Sequence, residues 1–214
     1  MKQTSNAKLA RFHRFFETHG RERLDGLDES YFAELTQTEK QEAWNFLEAG
    51  VPSSYEHIKG LYLLDRDRAM QLFSKALALH IEQSQYPSER EQLESSRLLM
   101  LSYINCVEHD PKIMKEMTEF AKSEFSGIRG QLARALPVQD IIPEAVAALK
   151  AMILTEPATG PRAAAITKFM SIHGLKFKLR DPVYNSIYLS LRSDDPEEKL
   201  SAINKLETMK PHHV

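Results

Sequence analysis

The sequence has few of the features that mark a secreted or membrane-spanning protein. It contains a single cysteine, Cys106, among 214 residues, so no intramolecular disulfide can form. Residues 1–10 lack the apolar core of a secretory signal. The longest run of small apolar residues, Ala145 to Leu149, is far shorter than the roughly 20 residues that span a bilayer. The sequence therefore predicts a cytoplasmic protein without a membrane segment.

A strong net charge is also missing. The formal net charge is −2 and the isoelectric point is about 6.5, so no overall positive field attracts nucleic acid or an anionic membrane. Nucleic acid is accordingly disfavoured as a partner. Hydrophobic residues make up 42% of the chain and charged residues 27%, which is the composition of a protein that folds around its own core.

Apolar residues are present at helical rather than strand spacing. Met70, Phe73 and Leu77 form one such stripe, and Leu200 and Ile203 begin another. Apart from the six residues 175–180, which lie between two predicted helices, no segment alternates apolar and polar residues in the way a strand requires. The pattern predicts an all-α fold.

Aspartate followed by proline occurs at Asp110, Asp181 and Asp195, and each pair is typical of a helix start. Together with the apolar stripes, these breakers predict one all-helical domain over residues 1–210. In that domain N-terminal helices occupy residues 1–52, degenerate helical repeats occupy 53–209, and residues 211–214 form a frayed tail. The predicted helices lie at 5–19, 28–35, 37–49, 53–64, 66–82, 88–108, 111–126, 128–136, 140–154, 161–173, 182–192 and 196–209.

Two segments 37 residues apart match in residue type, Ala165–Phe169 and Ala202–Leu206, and Ala69–Phe73 follows a looser version. Asp195–Ile203 adds an acid, a proline and a small-apolar stripe. In these features the chain resembles HEAT-like helical repeats, although that period is longer, about 40 to 47 residues. The resemblance implies stacked antiparallel helix pairs in a right-handed α-solenoid. An irregular helical bundle is the alternative.

No residue constellation indicates catalysis, a metal or a cofactor. Gly127–Gly130 has two glycines but no following lysine, as a phosphate-binding loop would require. Cys106 has His109 within helical reach, but Asp110 ends that helix, and a core thiol is the alternative. The chain has eight histidines, and no two of them lie four residues apart, as a helical zinc motif requires. They are His13, His19, His57, His80, His109, His173, His212 and His213.

The most informative residues form an acidic segment at 25–65. It holds nine Asp and Glu against two Lys, a net charge of −7. Such a segment can guide a basic protein partner while aromatic rings anchor it, or it can be an ordinary solvated face with Trp44 in the core. The candidate partner-binding residues are Asp28, Glu29, Tyr31, Glu34, Glu39 and Trp44.

A second segment, 161–192, has the opposite charge: six Lys and Arg against one Asp, a net charge of +5. Within it, Leu175 to Arg180 alternates apolar and basic residues between two predicted helices. Lys176, Lys178 and Arg180 are candidate anion-binding residues, and a loop that buries its apolar side is the alternative.

These features predict a non-enzymatic protein-binding scaffold with no cofactor. An acidic aromatic segment on a helical stack suits neutralisation of a basic toxin domain, and bacterial immunity proteins with HEAT-like folds are similar in general build. The alternative is a HEAT-like DNA-binding protein or DNA glycosylase. That alternative needs a basic groove with aromatic residues, whereas the single tryptophan lies in the acidic segment. The sequence leaves the oligomeric state open.

Overall fold

The computed structural model describes residues 3–19, 23, 25–79, 84–178 and 180–209. Helices account for 75% of the structure, and the described residues form no strand, so the all-α prediction is confirmed. The choice between a solenoid and an irregular bundle stays open. Three of the histidines considered above, and the tail predicted to fray, lie outside the described ranges: His80, His212, His213 and residues 211–214.

The helices follow the predicted stripes closely. Over the described ranges, none is both long and apolar enough to cross a membrane. In the part of the chain that the structure describes, two short 3-10 helices, Glu29–Tyr31 and Glu119–Lys122, accompany eleven α-helices. The α-helices are α1 (Gln3–Glu17), α2 (Gln37–Glu48), α3 (Tyr55–Leu64), α4 (Arg66–Ala78), α5 (Pro87–Glu108), α6 (Pro111–Thr118), α7 (Ser126–Ala135), α8 (Pro143–Thr155), α9 (Thr159–Ile172), α10 (Pro182–Arg192) and α11 (Pro196–Thr208).

The aspartate–proline pairs start helices as predicted. Asp110, Asp181 and Asp195 cap α6, α10 and α11, and each carboxylate accepts hydrogen bonds of 2.8 to 3.0 Å from backbone N–H groups of the first turn. Proline follows each aspartate where no N–H is needed. The cap and the proline together fix where these helices begin.

Residues 28–35, predicted as a helix, form only the 3-10 turn Glu29–Tyr31. The Asp28 carboxylate starts this turn by accepting the Ser30 N–H at 2.8 Å. The chain is already extended again at Thr36, which caps α2, so no room is left for a longer helix. The predicted helix at 111–126 likewise ends early, because the chain tightens into 3-10 geometry after α6.

The chain divides into two compact units, Met1–Ile104 (unit 1) and Asn105–Val214 (unit 2), each described by itself. In unit 1, α1 packs on α2 and on the first 3-10 helix, α2 on α3, and α3 on α4. Tyr103 of α5 stacks on Tyr62 of α3 with 4.1 Å between ring centroids. That residues 1–210 form a single domain stays a prediction.

In unit 2, α6 and α7 are one pair of successive helices, and α8 and α9 are the next. The first helices of the two pairs, α6 and α8, contact each other, and so do the second helices, α7 and α9. The last pair is arranged differently: α10 packs on α9 and on α11, and α11 packs on α8. Because α8 also contacts α9, these four helices form a closed ring of contacts, the neighbour pattern of a four-helix bundle. The HEAT-like resemblance stays a prediction.

The inward stripes of α8 and α9 contribute to the core of unit 2. Leu149 and Ile153 on α8, and Ile166 and Phe169 on α9, are fully buried. Burial of each such side chain contributes roughly 1.5–3 kcal/mol. This packing fixes the outer face of α8, which forms part of the groove described below.

Candidate functional site

The aromatic residues of the acidic segment belong to the core of unit 1. Tyr31 is 5% exposed and Trp44 is 2% exposed. The Trp44 indole N–H donates to the Glu48 carboxylate at 2.9 Å, and the Arg68 guanidinium lies over the indole at 3.9 Å from the ring centroid. The burial therefore supports the alternative in which Trp44 is a core residue. Neither ring offers a partner much surface.

Glu39 is occupied by the start of α2. Its carboxylate accepts the Thr36 backbone N–H at 2.8 Å, and the Thr36 hydroxyl accepts the Glu39 N–H at 3.4 Å. This reciprocal capping box satisfies two N–H groups that the helix end would otherwise leave unpaired. With 8% of its surface exposed, Glu39 has a local structural role.

Asp28, Glu29 and Glu34 are the exposed members of the predicted docking set. Hydrogen bonds from Ser30 hold the pKa of Asp28 below its usual value. Glu34 forms an ion pair with Lys8 of α1. A basic partner can reach these three carboxylates, and their role in binding stays a prediction.

Cations from the rest of unit 1 offset the charge of the acidic segment. Besides the Lys8 pair, Arg23 lies 3.5 Å from the Glu56 carboxylate. Over residues 1–104 the sequence has thirteen Lys and Arg against sixteen Asp and Glu, a net charge of −3. The unit is therefore much less acidic than the segment within it.

The cationic loop, defined as Lys176, Phe177, Lys178 and Arg180, connects α9 and α10 in unit 2. All four side chains are exposed, and Phe177 has 68% of its surface in solvent. The Phe177 ring meets the buried Tyr184 ring edge-on, with 5.4 Å between centroids. Among the described residues the three cations have no ion pair or side-chain hydrogen bond. The alternative in which the loop buries its apolar side does not hold for Phe177.

An open groove of about 700 Å³ lies in unit 2 along α6, the second 3-10 helix and α8. Its α8 side is lined by Ala147, Ala148 and Ala151. Charged groups around it are paired with each other: Lys115 of α6 lies 3.9 Å from Glu144 of α8, and Lys122 contacts Glu119 at 2.8 Å. The groove thus combines a small-residue floor with a rim of neutralised charges.

A buried ion pair closes one end of the groove. The Arg129 guanidinium donates to both carboxylate oxygens of Glu156, at 2.5 and 2.8 Å, and to the Ser123 carbonyl at 2.7 Å. The hydrogen bonds from Arg129 hold the pKa of Glu156 below its usual value and raise that of Arg129. Although the Glu156 side chain is only 4% exposed, the two hydrogen bonds from Arg129 keep the pair ionised, and the pair ties α7 to the end of α8.

The remaining candidates for chemistry lie apart. Cys106 is exposed, which corrects its interpretation as a core thiol: the apolar face of α5 leaves it outside. The described residues hold no cluster of three His, Cys, Asp or Glu able to bind a metal. His57 and His173 each have a buried ring nitrogen that finds no hydrogen-bond partner among the described residues, and burial lowers the pKa of both.

The groove is the feature that the sequence did not predict. Its floor includes Ala147 and Ala148 from the run Ala145–Leu149. Small side chains in a helix are equally typical of a face packed against another helix. Only the structure, in which α8 packs on α6 and yet leaves Ala147 and Ala151 exposed, distinguishes the two.

Comparison of the chain with family models, curated proteins and solved structures finds no match. In the part of unit 2 that the structure describes, the groove and the cationic loop both present exposed side chains that a partner can contact.

Proposed function

We propose that the chain is a non-enzymatic protein-binding module that holds a segment of a partner protein in the groove along α8. The observation that supports this most directly is the construction of the groove. Three alanines lie between the Lys115–Glu144 pair and the Arg129–Glu156 pair. An apolar centre within a polar rim is the usual anatomy of a protein–protein interface.

The dimensions suit a short peptide segment. The α8 residues that line the groove run from Glu144 to Thr155. At a helical rise of 1.5 Å per residue, this stretch of α8 is roughly 16 Å long. That length matches about five residues of extended chain or three turns of helix. Alanine side chains allow the backbone of such a segment to approach α8 closely.

The chemistry of the groove favours a protein over a small molecule. Small-molecule sites are mostly enclosed and direct a few unpaired polar groups at the ligand. Here the groove is open, and charged side chains on its rim are already paired, Lys115 with Glu144 and Lys122 with Glu119. The contact surface left for a partner is the alanine floor, which suits an apolar face of a segment.

The narrower hypothesis, neutralisation of a basic toxin domain, depends on a different surface. It needs the exposed carboxylates of Asp28, Glu29 and Glu34, because the aromatic residues beside them are buried. Reversing these three charges to lysine should slow association with such a partner. Unchanged association at low salt would contradict the hypothesis.

A variant in which a large side chain fills the groove tests the proposal. Ala151→Phe adds a ring at an exposed position in the groove, and Ser201→Phe adds the same ring at an exposed position on α11. Each tagged variant and the wild type capture proteins from native lysate, and mass spectrometry compares the captured sets. We expect a protein captured by the wild type and by Ser201→Phe to be lost from Ala151→Phe, while thermal unfolding is the same. Identical captured sets for all three proteins would contradict the proposal.

A further inference from the structure

The cationic loop places several cations that make no side-chain contact within the described part of the fold close together in the sequence. Elsewhere in the described chain some cations pair with an acid, as Lys150 does with Glu207 at 2.9 Å, and others have no side-chain partner. Lys176, Lys178 and Arg180 have no such contact among the described residues. Three unpaired cations within five residues create a local positive field on a chain whose total charge is negative.

The nearest carboxylate in sequence, Asp181, does not pair with these cations. Its Oδ1 accepts the backbone N–H groups of Val183 and Tyr184 at 2.9 and 3.0 Å, as the cap of α10. Its charge is thus directed at the positive end of the helix. The loop cations stay available to an external anion.

The same loop has an exposed and supported apolar group. Phe177 is 68% exposed, yet its ring rests edge-on against Tyr184, which is itself 5% exposed. Val183, in the first turn of α10, is 51% exposed. A single exposed apolar residue is ordinary, but here an aromatic ring held against the core, a second exposed apolar side chain and three cations occur within residues 176–183, a composition that suits a binding hot spot.

We infer that the cationic loop binds an acidic segment of a partner protein. Carboxylates of that segment pair with Lys176, Lys178 and Arg180, and an apolar side chain between them packs on Phe177. This surface is separate from the groove along α8, so the inference goes beyond the proposed function and does not depend on it.

A nucleic acid strand is the competing anionic ligand, and the observations favour the peptide. Affinity for nucleic acid comes from many phosphate contacts, with a salt dependence that grows with their number. Three cations supply few such contacts, and the chain as a whole has a net charge of −2. The exposed Val183 beside the loop suits an aliphatic side chain rather than a phosphate.

The test uses fluorescence anisotropy with three short labelled peptides and one single-stranded oligonucleotide of similar length. The first peptide is rich in glutamate with a central leucine, the second has glutamine in place of every glutamate, and the third has glycine in place of the leucine. The full-length wild type is compared with Lys176→Glu/Lys178→Glu/Arg180→Glu. A matched control, Lys112→Glu/Arg134→Glu/Lys205→Glu, makes the same charge change at exposed positions elsewhere in unit 2.

We expect the wild type to bind the acidic peptide, and affinity to fall as salt rises from about 50 to 200 mM. The loop variant should bind about tenfold or more weakly, and the matched control should differ far less. Phe177→Ala should weaken binding about fivefold for the peptide with leucine. It should have no effect on a glutamate peptide in which glycine replaces the leucine, which separates ring contact from charge.

Three results would overturn the inference: equal or tighter binding of the oligonucleotide, equal binding of the glutamine peptide, or no binding of the acidic peptide. All of the substituted side chains are exposed, so unchanged circular dichroism and thermal unfolding should accompany each variant. Because Ala151→Phe leaves the loop intact, the groove and the loop can fail or succeed separately.

Discussion

The acidic segment at 25–65 and the cationic loop at 176–180 differ in the sign of their charge. They also differ in whether the charged side chains have partners within the fold. In the acidic segment, Glu39 caps a helix, Glu34 pairs with Lys8, and Trp44 is buried. In the cationic loop every described side chain points into solvent. The size of a charge run therefore says less about a binding surface than the number of its charges left without a partner.

The difference follows from what each charge can do at a helix end. Carboxylates accept backbone N–H groups, so acids placed before helices become caps; Asp28 and Asp65 cap in this way, accepting N–H groups at 2.8 and 3.1 Å. Lysine and arginine cannot accept these hydrogen bonds, and the positive end of the helix dipole repels them. The cations that precede α10 consequently have no local role in the fold.

The largest expected effect tests the burial of the aromatic ring in the acidic segment. Trp44→Ala should lower the free energy of unfolding by about 3–5 kcal/mol, because it leaves a cavity and deprives Arg68 of its stacking surface. Urea denaturation measures this change. A loss below about 1 kcal/mol would show that the ring is a surface anchor after all, and the contrast between the two segments would disappear.

The capping role of Glu39 predicts a smaller effect. Glu39→Ala removes half of the capping box at α2 and should lower the free energy of unfolding by about 1 kcal/mol. Glu42→Ala is the matched control, since that carboxylate is exposed and lies 3.8 Å from the His13 ring nitrogen, and it should change stability by less than about 0.5 kcal/mol. Equal effects of the two changes in urea denaturation would mean that Glu39 acts only through its charge.

The sequence predicts those parts of the fold that depend on local rules. Asp110, Asp181 and Asp195 start their helices as expected, because cap and proline act within one turn. The groove depends on α6 lying against α8, whose lining residues are some 25 to 40 positions apart in the chain. No periodicity reports such a pairing. For the same reason the sequence could not show that Trp44 faces inward while Phe177 faces outward.

The pH dependence of the free energy of unfolding tests whether the acidic segment creates a net negative field at a residue within it. His57 lies within it, and burial holds the pKa of His57 below its usual value despite the nearby Glu56 carboxylate. The unfolded chain then binds the proton more readily than the folded chain, so stability is greatest above about pH 6.5, the usual histidine pKa, and falls as the pH decreases from there through the lower pKa of folded His57. We expect lower stability in urea at pH 5.5 than at pH 7.5.

His57→Phe should reduce that pH dependence, because the unpaired Nδ1 is removed while the ring still packs on Phe16 and Phe46. His173, whose pKa burial also lowers, should account for part of the dependence that persists. If instead the wild type became more stable on acidification and the variant did not, the carboxylates would dominate over burial. The segment would then be an unbalanced acidic field.

The smallest expected effect is on the cationic loop. Phe177→Ala should change the free energy of unfolding by less than about 0.5 kcal/mol, because most of the ring is already in solvent and its removal opens no cavity. Tyr184→Ala is the control on the other side of the same ring contact, and it should lower stability by about 3–5 kcal/mol because Tyr184 is buried. A loss above about 2 kcal/mol for Phe177→Ala would mean that the ring stabilises the α9–α10 connection. Phe177 would then be explained by its packing within the fold, and its ring would no longer support the inference that the loop binds a partner.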